Sequence, residues 1–67
     1  MAQIRRLGMK IQRLRVRRGF SQEVLAKKAR ISRGYLARLE IGRHDPTVGT
    51  LRRLARALGV PLGELLK

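Results

Sequence analysis

Arg33 and Arg38 stand five positions apart in the run ISRGYLARLEIGR. A guanidinium has a planar fork of donors that matches the O6 and N7 acceptors of guanine, or the paired oxygens of a phosphate. Ala37 carries a methyl suited to the C5-methyl of thymine, and Gly34 leaves bare backbone where a base edge can approach. With Leu36 and Leu39 taken as the buried side of a helix, 100° per residue puts Gly34, Ala37, Arg38 and Ile41 on the opposite side, and Arg33 projects from the first turn. The chemistry open to this set is hydrogen bonding to base edges in the major groove. Plainer readings stand beside it: arginines on phosphates, Ala37 as a helix former, Gly34 as a tolerated first-turn residue.

Around this set lie groups suited to phosphate. Ser21 and Gln22 open a helix whose free amides and positive dipole end attract an anion. Ser32 is an N-cap first and a phosphate ligand second. Tyr35 lies on the flank of its helix, where its hydroxyl can reach a phosphate while its ring packs on the edge of the preceding helix. Thr47 and Thr50 begin a further helix whose N-terminus can face a backbone. His44 is the single histidine and the chain has no cysteine, so neither a metal site nor a nucleophile paired with a base is expected.

These side chains need rigid supports, and the apolar spacing supplies them. Ile4, Leu7, Ile11 and Leu14 recur at helical intervals, giving a first helix from about Gln3 to Arg17 with Gly19 as its stop. Arg6, Lys10, Arg13 and Arg17 gather along one flank of it, while Met9 and Val16 fall on the outer side with no evident partner. Ser21 caps a second helix ending near Lys28, with Leu25, Ala26 and Ala29 facing inward. Ser32 caps a third, stopped by Gly42. Ile31 sits in the tight break between them. After Asp45-Pro46, Thr47 caps a fourth helix with Val48, Leu51, Leu54, Ala55 and Leu58 as its core stripe, ended by Gly59. Pro61 opens a last short turn carrying Leu62, Leu65 and Leu66. The expectation is an all-α, compact bundle of about five short helices, forming one domain over residues 1–67 with a helix-turn-helix at 22–41.

Composition narrows the partner. Seventeen Lys and Arg oppose four acids, for a net charge of +13 on 67 residues. A small domain with that charge repels itself until a polyanion relieves it, and nucleic acid is the natural one. Part of the excess reflects a preference for arginine, which outnumbers lysine 13 to 4, but that leaves the sign intact. The absence of cysteine excludes disulfides and thiolate catalysis. No apolar run reaches the roughly 20 residues of a membrane span, and the start MAQIRRLGMK lacks a signal-like apolar stretch, so a cytoplasmic, nucleoid-associated protein is expected.

Over nearly its whole length the chain resembles the lambda-repressor-like, Cro/CI-type (XRE-like) helix-turn-helix domains. The segments that carry the likeness are IQRLRVRRGFSQEVLAKKA, ISRGYLARLEIGR and DPTVGTLRRLARALGVPLGELL. The resemblance implies a recognition helix over 32–41 in the major groove, Gln22 on a phosphate, Arg43 and His44 in a loop laid along the backbone, and a structural ion pair between Arg15 and Glu40. Three positions depart from the family pattern. Arg30 stands where the family turns on a glycine, Val24 replaces the glutamate of a capping box begun by Ser21, and Ile41 occupies a place that is usually polar.

Other classes fit less well. An enzyme lacks an activatable nucleophile, and single-strand readers use stacking aromatics where this chain has Phe20 and Tyr35 alone. A membrane-active peptide needs one broad basic face opposite one apolar face. The reading is a sequence-specific regulator of transcription on double-stranded DNA, a repressor, without cofactor or small-molecule ligand. It is expected to act as a homodimer through Leu62, Leu65 and Leu66 with the start of the fourth helix. The alternative is an antitoxin-type protein that uses the same fold to hold a protein partner, a toxin, as well as DNA.

Overall fold

Ser21, Ser32 and Thr47 each turn the side-chain oxygen back to accept the backbone N–H three residues on, at Val24, Tyr35 and Thr50 (3.1, 3.0 and 3.1 Å). Three helices therefore start where an oxygen-bearing side chain satisfies a first-turn donor. The computed structural model describes residues 2–67 and holds α1 (Ala2–Arg17), α2 (Gln22–Ala29), α3 (Arg33–Glu40), α4 (Val48–Leu58) and α5 (Leu62–Leu65). No strand occurs among the described residues, and no helix there is long and apolar enough to cross a membrane.

Four helix ends share one solution. The N–H groups of Phe20, Ile31, Arg43 and Val60 reach back to the carbonyls of Arg15, Ala26, Arg38 and Ala55 at 2.8–3.1 Å. This closure requires a left-handed residue just past the helix. Gly19, Gly42 and Gly59 provide it at φ 73–77°, and Arg30 provides it at φ 61°, the one non-glycine at positive φ among the described residues. The turn between α2 and α3 is thus the same closure made with an arginine in place of glycine, at a cost of roughly 1–2 kcal/mol for carrying a Cβ there.

Ile11, Leu25, Leu36, Leu39, Leu54, Leu58 and Leu65 are the large side chains sealed in the core, with Leu14, Leu51 and the small Ala26, Ala29 and Ala55 between them. Two expectations change. Val48, the first residue of α4, is 59% exposed, so the stripe of that helix narrows to Leu51, Leu54, Ala55 and Leu58. Leu65 is only 2% exposed, while Leu62 packs partly on the core and Leu66 is 62% exposed. A four-residue helix has no stability of its own, and burial of Leu65 is what fixes α5 to the bundle. The expected dimer contact at Leu65 is therefore corrected: that side chain is committed to its own core.

A polar tie holds α5 from outside. Glu64 accepts from Lys10 of α1 at 3.3 Å and lies 3.5 Å from Lys67, and the Lys10 hydrogen bond holds its carboxyl below the usual carboxylate range. On the other side of α1, Gly8 sets the approach to α3. A Cβ at Gly8 would overlap the Leu39 carbonyl oxygen and stand 2.8 Å from that of Glu40, so only glycine lets α1 lie against the last turn of α3.

Candidate nucleic-acid interface

Glu40 is the last residue of α3 and is 4% exposed, which for a carboxylate requires partners. Arg15 of α1 supplies two of them. Its Nε donates to Glu40 Oε2 at 2.7 Å and its Nη2 to Oε1 at 3.2 Å, while Nη1 donates to the Phe20 carbonyl at 2.8 Å. Gln22, the first residue of α2, adds a third bond from Nε2 to Glu40 Oε1 at 3.0 Å. One buried carboxylate thereby links the end of α1, the start of α2 and the end of α3. A glutamine amide has two N–H donors, and only one is taken by Glu40. The other has no partner among the described residues, on a side chain already held in place.

The turn between α2 and α3 has its own fastener. Arg53 of α4 donates from Nε to the Ala29 carbonyl at 3.0 Å, satisfying one of the orphan acceptors at the end of α2. Nothing in the spacing of the sequence singled out Arg53, because a lone arginine on a basic helix carries no signal of its partner.

Leu36, Leu39 and Glu40 form the inner side of α3, and Arg33, Gly34, Arg38 and Ile41 are exposed, with Ala37 half-buried. The Arg38 guanidinium folds back one turn, so that its Nη1 lies 3.6 Å from where a Cβ on Gly34 would stand. Helical side chains lean toward the N-terminus, and here that lean carries the Arg38 charge into the turn from which Arg33 projects. Arg33 thus opens the same turn of α3 over which the Arg38 guanidinium lies.

Ser32 at this end of α3, and Ser21 at the start of α2, are exposed caps. Each oxygen accepts a backbone N–H and each hydroxyl keeps its proton, so either can cap and donate outward together. Tyr35 packs partly on the core and stands edge-on to His44, with ring centroids 4.9 Å apart at 70°. That contact fixes the loop after α3 against the helix and was not legible in the sequence. Arg43 and His44 are exposed in this loop. The threonines divide. Thr47 is exposed, but its Oγ1 accepts the Thr50 N–H and donates to Thr50 Oγ1 at 3.1 Å. Thr50 is 6% exposed. Its expected contact with a DNA backbone is corrected, because a hydroxyl enclosed behind Thr47 cannot meet a surface ligand.

Comparison with known proteins fits this geometry. The helix-turn-helix family profile matches residues 11–65, and the chain belongs to that family, in the lambda-repressor-like, Cro/CI-type form its sequence resembles. Among relatives, it is 45% identical over 60 residues to an uncharacterized HTH-type transcriptional regulator, y4dJ, of Sinorhizobium fredii, covering 90% of this chain and 78% of the relative. It is 38% identical over 60 residues to the immunity repressor protein of Bacillus phage phi105, covering 90% of this chain but 42% of the repressor. Among solved structures, the restriction-modification controller protein C.AhdI from Aeromonas hydrophila superposes with a TM-score of 0.95 at 31% identity, over 97% of this chain and 98% of that one.

Proposed function

We propose that this chain is a transcriptional repressor that reads double-stranded DNA with α3 in the major groove. The observation that carries the reading is the face of exposed Arg33, Gly34 and Arg38 with half-buried Ala37, backed by a buried core and framed by donors at Ser21, Gln22, Ser32, Tyr35, Arg43 and His44. In this reading Arg33 and Arg38 specify guanines, Ala37 and Gly34 permit close approach, and the framing groups hold the duplex by its phosphates. Exposed Thr47 contributes through the start of α4 and not through its hydroxyl, whose proton goes to Thr50. Relatives that are repressors and regulators of transcription support the same reading, and they lend nothing to a toxin-binding role.

Selection from random duplexes, followed by binding of the recovered consensus, tests it. The expected result is a consensus with guanine at fixed positions, and Arg38→Ala should relax one of them at about 1–3 kcal/mol of lost discrimination. Recovery of no consensus by a folded protein would overturn the specific reading and leave a nonspecific DNA-coating role.

The reading also takes the protein as a dimer on two half-sites. Of the three leucines first considered, Leu66 is free and Leu62 partly so. Val48 at the start of α4, the helix first considered beside these leucines, is also exposed.

A further inference from the structure

Arg30 is the feature that neither the fold nor the proposed reading uses. It is exposed, it holds a left-handed conformation that three of the other helix ends give to glycine, and its side chain makes no hydrogen bond or ion pair among the described residues. Its backbone N–H closes the end of α2 as a glycine would, so the side chain adds nothing to the turn. A strained residue persists where something outweighs the strain, and within the free protein nothing does.

Position suggests what does. Arg30 lies two residues before Ser32, the cap of α3, and three before Arg33. Two residues of chain span at most about 7 Å, and an arginine side chain reaches a similar distance again. Its guanidinium is therefore within reach of the rim of the surface from which Arg33 and Arg38 project, where a phosphate backbone runs once α3 is in a groove. We infer that Arg30 is a phosphate-binding residue of the complex, a contact that the glycine usual at this turn cannot make. The inference rests on the DNA-binding reading and extends it to a residue that the family leaves bare.

The test sets stability against binding. Arg30→Gly should raise the melting temperature, since it relieves the left-handed Cβ. It should also weaken binding to a mixed-sequence 20-base-pair duplex, for which phosphate contacts supply nearly all the affinity. One lost contact makes the slope of log K against log salt less negative by about 0.9, so the wild-type advantage should shrink roughly 3.5-fold between 50 and 200 mM salt. Arg30→Lys, which keeps a charge on the same site, should retain the wild-type slope. Arg56→Ala removes the same charge from the exposed last turn of α4 and controls for long-range attraction. An Arg30→Gly slope equal to wild type, or matched by that of Arg56→Ala, would overturn the contact while leaving DNA binding intact. A wild-type protein that binds no duplex would overturn the DNA reading, and this contact with it.

Discussion

Gly34 shows how a single residue can be indifferent to the fold and decisive for the complex. In the free chain a methyl at this position meets nothing closer than the Arg38 guanidinium at 3.6 Å, an ordinary contact with the far end of a flexible side chain. Alanine is also favoured over glycine in a helix by up to about 1 kcal/mol. On stability alone Gly34→Ala should therefore be an improvement, worth roughly 4–8 °C in a domain of this size. If α3 lies in a groove with its first turn against base edges, that methyl stands where a base must come, and binding to the selected duplex should fall while stability rises. Melting curves and titrations on the same sample settle it. A stabilised Gly34→Ala protein with undiminished affinity would show that the glycine is merely tolerated. Gly34 could be noticed in the sequence because it breaks a helix former's pattern at a marked position. Arg53 could not, because what distinguishes it is a carbonyl 24 residues away at the end of another helix.

At the scale of elements, the helices were legible because each one is bracketed by its own chemistry. Ser21, Ser32 and Thr47 cap starts, Gly19, Gly42 and Gly59 end helices, and the apolar spacing between them gives the inward faces. How the helices lean on each other was less legible, since it depends on contacts such as Gly8 against the carbonyls of Leu39 and Glu40, where the informative fact is a missing atom. The Arg15–Glu40 pair came from family likeness, and its extension to Gln22 and the Phe20 carbonyl came only from geometry. That extension changes the expected outcome of mutation. Arg15→Ala removes two bonds from a carboxylate whose side chain is 1% exposed and leaves it with one amide donor. Stranding a buried charge in this way costs about 3–5 kcal/mol, enough to lower the melting temperature by more than about 10 °C. Because α1, α2 and α3 meet at Glu40, DNA binding should fail in step with unfolding and return on cooling. Thermal unfolding followed by circular dichroism, with binding measured at each temperature, checks this. Unaltered melting of Arg15→Ala would mean the network is ornamental.

The whole molecule is small against its proposed target, and that sets a geometric demand. Its Cα dimensions are 27 × 24 × 21 Å, whereas equivalent points one turn apart on duplex DNA are separated by about 34–36 Å. Once side chains are added, two copies laid side by side on one face of the helix just meet at that separation. Charge works against their meeting, because each copy carries +13 and the duplex between them is what neutralises it. A weak apolar contact involving Leu66 can therefore be too small to hold a dimer in free solution and still be sufficient on DNA, where both copies are already aligned. The expected behaviour is a largely monomeric protein in sedimentation at moderate salt that binds a duplex with two consensus half-sites cooperatively at centre-to-centre spacings of 10 or 11 base pairs. Inserting five base pairs turns the second site to the opposite face and should abolish the cooperativity while leaving single-site affinity alone. Leu66→Lys should do the same at the natural spacing. Cooperativity that survives the half-turn insertion would require a flexible link between copies, which a contact through a four-residue helix pinned by Leu65 does not provide.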